Sequence, residues 1–169
     1  MLEALAAALL LGGINTIADA VSSELKLEAR PIYVFARVVL ICYCVGGIVG
    51  ARARQLMMGT VGGLMIGALV AAAHYLLAPP LGWAGLAVAW VFFWLGFSLL
   101  DALLQGGSSA GGAVLQGAAA AILSGGFYYA ISNVWPEAPS RDDPNLLRAL
   151  ISWSAAFLPG FIVLFWRKL

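Results

Sequence analysis

Charge is what this sequence has least of: Lys, Arg, Asp and Glu together make up 10% of its 169 residues, against about 25% in soluble domains. So few charges cannot clothe a water-exposed surface, and lipid must be the main solvent. The balance of sign is also nearly even, a formal net +1, which leaves no basic footprint for nucleic acid. Histidine is scarcer still, with His74 alone. One imidazole, with no carboxylate close by on the same helical face, supplies neither a triad nor a metal set. Cysteine is limited to Cys42 and Cys44. Two apart in an apolar run, they fall on roughly opposite faces of a helix. That excludes a mutual disulfide and matches no metal spacing. The HExxH, GxSxG, Walker and redox CxxC patterns are all missing. A non-enzymatic protein without a cofactor is therefore expected.

What is abundant is apolar length. Hydrophobic residues make up 63% of the chain, and a bilayer core of about 30 Å needs about 20 of them in a helix. Six segments qualify: Leu2 to Val21, Ile32 to Gly50, Met57 to Leu77, Trp83 to Leu104, Ala110 to Ile131 and Leu146 to Trp166. The start, Met1-Leu2-Glu3-Ala4, has no basic region before its apolar run, so it reads as a first span and not as a cleaved signal. Pro79-Pro80 should stop the third span, and Asp142-Asp143-Pro144 is a good start for the sixth, a carboxylate cap followed by proline. No soluble-looking stretch is long enough for a second unit. The expected fold class is all-α: a polytopic membrane protein, one domain over residues 1–169, six transmembrane helices in a compact bundle.

Orientation depends on Lys and Arg near the span ends. Arg52, Arg54, Arg167 and Lys168 fall on one side, and Lys26, Arg30, Arg141 and Arg148 on the other, with Arg37 left inside the second span. The count ties. Only the second group is mixed with acids (Glu24, Glu28, Glu137, Asp142 and Asp143), which favours both ends of the chain in the cytoplasm. Gly46/Gly50 and Gly63/Gly67 form two GxxxG pairs, and Gly112, Gly117 and Ala118 to Ala121 add small residues to the fifth span. Such faces serve helix packing within the chain, a homo-oligomer contact, or a smooth wall for a flat ligand. Trp83, Trp135 and Trp166 lie where interfacial anchors lie, whereas Trp90, Trp94 and Phe92-Phe93 are deeper.

Polar groups inside spans cost free energy unless they are paired or wetted, so they are the candidate site. Asn15, Asp19 and Ser22 or Ser23 recur at helical spacing and make one stripe, either the wall of a cavity or the snorkelling end of a helix. His74, Gln116, Ser124, Tyr128 and Ser152 complete the set, with Pro159 placed to kink the sixth span. A wall of small residues, a few uncharged polar groups and no strong fixed charge in the core suit a neutral amphiphile. A hydroxyl needs only one or two such partners.

Several stretches are similar to the Insig family, six-span sterol sensors of the endoplasmic reticulum, and to its bacterial homologues. His74 falls near the end of the third span, where the family has Asn-His-Ala. The run Trp94-Leu95-Gly96-Phe97-Ser98-Leu99-Leu100-Asp101 resembles the family's Gly-Leu-Trp-Trp-Thr-Phe-Asp, and a Ser/Gly-rich turn follows in both. Phe127-Tyr128-Tyr129-Ala130-Ile131 resembles Val-Tyr-Asn-Gly-Val-Tyr. Arg148 and Ser152-Trp153 resemble Arg-Ser-Trp-Leu-Pro, and a basic pair, Arg167-Lys168, ends the sixth span. The matches concentrate from His74 onward. The resemblance implies a sterol-like or diglyceride-like ligand between helices, both chain ends in the cytoplasm, and a partner contact at Asp101. The family's charged loop between the second and third spans is much shorter here, so lipid binding without the partner protein is expected, in a bacterial plasma membrane. The competing classes are a small permease or substrate-binding transporter subunit, with Asn15 and Asp19 on a water path, and a structural homo-oligomer built through the glycine faces.

Overall fold

The computed structural model describes residues 1–26, 31–106, 109–134 and 145–166, apart from the side chains at 78, 83 and 132–134. Six α-helices cover them: α1 (Leu2–Leu25), α2 (Pro31–Arg52), α3 (Leu56–Leu81), α4 (Trp83–Gln105), α5 (Ala110–Val134) and α6 (Leu146–Phe165). Each is long and apolar enough to cross a membrane. The chain is a six-span helical bundle, an integral multi-pass membrane protein.

The helix ends follow local chemistry. Lys26 closes α1 in the left-handed region (φ 51°), its N–H turned back to the carbonyls of Ser22 and Ser23. Gly82 (φ 54°) and Gly106 (φ 66°) bound α4, where positive φ favours a residue without Cβ. Asn145 caps α6, its side-chain oxygen accepting from the N–H of Arg148 at 3.0 Å. The expected Asp142-Asp143-Pro144 start lies outside the described residues, as do the side chains of Trp83 and Trp135; Trp166 is largely exposed. One boundary is corrected. Pro79 and Pro80 do not stop α3, which continues to Leu81. The two prolines leave the carbonyls of Tyr75 and Leu76 without helical donors. That loss falls in the last turn of the apolar span, which ends at Leu77, close enough to the membrane edge for water to take the carbonyls.

Around the bundle the neighbours run α1, α6, α5, α4, α3, α2, and α4 leans inward. The largest fully buried side chains are Trp94 and Phe97 on α4 and Phe157 and Phe161 on α6. Small residues make that density possible. A Cβ at Gly160 would run into the Trp94 ring, and one at Gly117 would come within 2.8 Å of Leu95 Cα. The closest pair is α2 and α3. A Cβ at Gly46 would collide with the Gly59 carbonyl and approach Gly63 Cα to 2.7 Å, and one at Gly67 would reach Cys42 Cβ at 2.9 Å. The glycine pairs are thus spent inside the chain, which removes them as the contact of a structural homo-oligomer.

By contrast, α1 and α2 close the ring with the sparsest contact of any neighbours. Polar bonds near the two ends of this seam do much of the joining. At one end the Arg52 guanidinium pairs with Glu3 and lies 3.8 Å over the Phe165 ring. At the other, Tyr33 Oη donates to the Ala18 carbonyl at 2.5 Å.

Gly63→Leu should lower unfolding stability in detergent by about 1–3 kcal/mol or more, since helix backbones cannot yield as side chains do. Gly111→Leu, where a Cβ meets nothing within 4 Å, should be neutral. Fluorescence-detected thermal unfolding of the two variants makes the comparison.

Candidate functional site

α1 turns one face inward at Leu11, Asn15, Asp19 and Ser22, spacings of three and four that align on a helix. Asn15 is almost fully buried; its side-chain N–H donates to the Leu11 carbonyl at 3.0 Å, within the helix. Its oxygen accepts from Arg37 Nε at 3.2 Å and from Nη2 at 2.7 Å. Arg37 Nη1 contacts Asp19 Oδ1 at 2.5 Å, and Trp153 Nε1 of α6 donates to the other carboxylate oxygen at 2.6 Å. The Arg37 guanidinium also lies 5.5 Å from the Trp153 ring centroid. Both oxygens of Asp19 are engaged, while Arg37 uses three of its five N–H donors and keeps two.

This cluster forms the polar end of a cavity of about 430 Å³. Its walls come from α1, α2, α3, α4 and α6, and Val38, Ile41, Val70, Ala89, Phe93 and Phe157 make them apolar toward the middle of the bundle. His74 on α3 lines the cavity too, with its Nδ1 buried and without a hydrogen-bond partner among the described residues. A second cavity of about 320 Å³ lies between α4 and α5 and is lined by Tyr128, Gly125 and Ala121. Leu86, Trp90 and Trp153 belong to both walls. The partition is an aromatic stack: Tyr128 on Trp153 at 5.6 Å between centroids, and Trp90 against Phe157 at 5.4 Å.

The candidate residues therefore separate. Asn15, Asp19 and His74 come together on the first cavity, and Tyr128 lines the second. Gln116 and Ser124 instead staple α5 to α6. Gln116 Nε2 donates to the carbonyls of Val163 and Leu164 at 2.8 and 3.0 Å, in the last turn of α6. Ser124 Oγ donates to the Ala156 carbonyl at 2.5 Å. Ser152 lines neither cavity. Asp101 sits at the opposite end of the bundle, accepting from Gln105 Nε2 at 2.6 Å.

One expectation needs correction. The core is not free of fixed charge, because Arg37 and Asp19 meet there with each side chain 20% exposed. Sequence reading missed Arg37, Tyr33 and Trp153 as site residues. A signal for Arg37 existed: Asp19 lies six residues before the end of α1 and Arg37 six after the start of α2. Consecutive antiparallel helices bring such positions to one depth, about 9 Å along each axis.

Fold and site together define a class: a multi-pass bundle holding an apolar cavity with a charge-balanced polar end. No protein-family model matches the sequence, and neither a curated protein nor a solved structure gives a match.

Breaking the pair from one side should cost more than removing it. Arg37→Met should destabilise by about 2–3 kcal/mol, below the about 3–5 of a fully buried pair because both groups are partly exposed. Adding Asp19→Leu to it should restore more than half of that loss. A double-mutant cycle by unfolding in detergent reads both values.

Proposed function

We propose that this chain is a non-enzymatic lipid-binding membrane protein that holds a neutral, hydroxyl-bearing amphiphile, sterol-like or diglyceride-like, in the first cavity. One observation carries the reading: a net-neutral polar cluster at one end of an otherwise apolar cavity of ligand size, about 430 Å³ in a usual range of about 300–1,000 Å³. Arg37 has spare donors, but its charge is already matched by Asp19. An anionic head would have to displace that carboxylate, and a cationic head would have to displace the guanidinium. A hydroxyl needs neither: it can accept from a spare N–H of Arg37 while donating to an oxygen of Asp19.

The resemblance to the Insig family points the same way, and the proposal places the chain among its bacterial homologues, without a partner protein. Asp101, the position that resemblance ties to a partner, lies at the far end of the bundle from the cavity. Any homo-oligomer in this proposal uses surfaces other than the α2–α3 glycines. In a bacterial plasma membrane with both chain ends cytoplasmic, the polar end of the cavity faces away from the cytoplasm. The permease reading draws support from the same ion pair, since charges within spans mark solute paths.

Lipid extraction and mass spectrometry of the purified protein should give one enriched neutral lipid at near-stoichiometric amount. Ala89→Leu, which narrows the cavity, should lower it several-fold. Recovery of bulk membrane lipids in bulk proportions would refute the reading. Solute flux in liposomes that vanishes in Asp19→Ala would favour the permease.

A further inference from the structure

We infer that the ligand reaches the cavity sideways from the bilayer, between α1 and α2, and that Tyr33 and the Arg37–Asp19 pair latch this seam. The inference rests on the lipid-binding reading for its ligand. Three observations carry it. Every other neighbouring pair of helices in the ring is closely fitted, but α1 and α2 touch sparsely along their length. Both helices nonetheless line the cavity, at Asn15, Asp19 and Ser22 on one and Tyr33, Val34 and Arg37 on the other, so the cavity lies directly behind the seam. At that depth the seam is bridged by polar bonds: Tyr33 Oη to the Ala18 carbonyl at 2.5 Å, and Arg37 to Asp19 at 2.5 Å and to Asn15 at 2.7 Å.

A seam closed by side-chain apolar fit would gain nothing from a ligand's polar head. A seam closed by hydrogen bonds behaves differently. Separating these groups in hydrocarbon leaves each unsatisfied, which is costly. An incoming hydroxyl offers a donor and an acceptor at the same place, so it can take over bonds as the latch parts. The opening step is thereby coupled to the chemistry of the molecule it admits, and a pure hydrocarbon chain gets no such help. Once the head is inside, the bonds re-form around it.

The test uses the full-length protein with Cys42→Ala and Cys44→Ser, reconstituted in phosphatidylcholine vesicles containing dioleoylglycerol, with the deuterated lipid added as the exchanging probe. In this background Ala18→Cys/Tyr33→Cys is cross-linked by a short bis-maleimide; the same protein capped with N-ethylmaleimide is the control. Exchange of bound light for heavy lipid is followed by native mass spectrometry. The locked seam should exchange at least tenfold more slowly than the capped control, with the amount bound unchanged. Tyr33→Phe, which removes one latch bond and leaves the Arg37 cluster intact, should exchange about three- to tenfold faster than the parent. Equal exchange in locked and capped proteins, with lipid bound in both, overturns the lateral route and leaves the lipid-binding reading standing. No dioleoylglycerol bound in the unlocked protein counts against that reading instead. The seam is then judged by pulsed electron paramagnetic resonance between spin labels at the exposed Ile17 and Phe35. A second, longer distance that grows in Tyr33→Phe supports the latch; one unchanged distance in both proteins refutes it.

Discussion

An arginine held inside a membrane span is the constraint on which the site depends. Arg37 cannot face hydrocarbon without a large penalty, and it lies more than a turn inside α2. It needs a carboxylate and further acceptors at its own depth. Asp19 and Asn15 provide them from one face of α1, and this draws together two helices that otherwise fit poorly. Meeting the charge fixes the polar end of the cavity. It also spends both oxygens of Asp19, one on Arg37 and one on Trp153, so the orientation of Trp153 follows from the same pair. Trp153 in turn forms part of the wall between the two cavities.

The remainder of the bundle obeys a different rule. Lipid gives little drive for one apolar helix to leave it for another, so association depends on close backbone approach and on polar staples. α2 and α3 use the first device through Gly46, Gly59 and Gly63. α4, α5 and α6 combine both, with the Trp94 ring over Gly160 and with Ser98, Ser124 and Gln116 each donating to a carbonyl of a neighbouring helix. Between α1 and α2 polar bonds alone do this work, near the ends of the seam, and a cavity lies behind it.

How much of this could be read from the chain alone divides along the same line. Span number and approximate ends were legible because they depend on apolar length, a local quantity. The GxxxG glycines were legible as contacts, but their partners were not, since one helix pattern does not say which helix it faces. Proline stops were overread at Pro79-Pro80, because a helix end at the membrane's edge can lose two hydrogen bonds to water. In the site, Asn15 and Asp19 stood out as a stripe and His74 as a lone polar group. Gln116 and Ser124 looked equivalent to them and are not: a polar side chain within a span is satisfied equally well by a ligand or by a neighbour's carbonyl, and sequence spacing does not distinguish the two. Arg37 was visible but was left aside inside the second span when charges were counted for orientation, although its depth matched that of Asp19.

The charge balance has a consequence for how a ligand would lie. A cavity polar along its whole length would admit water and soften the penalty that holds the ion pair closed. Here the polar groups are gathered toward one end, at Asn15, Asp19, Tyr33 and Arg37, with His74 facing them, while Phe93 and Phe157 line the interior. Under the proposed reading an amphiphile can satisfy both regions only in one sense, with its head at the cluster and its apolar body pointing toward the middle of the bundle. That is also the orientation it holds in the leaflet bordering the seam. A lateral passage between α1 and α2 then requires translation without inversion, so the head need not cross the hydrocarbon core. The ion pair's depth, about 9 Å along α2 by helical rise, is what makes the two orientations agree.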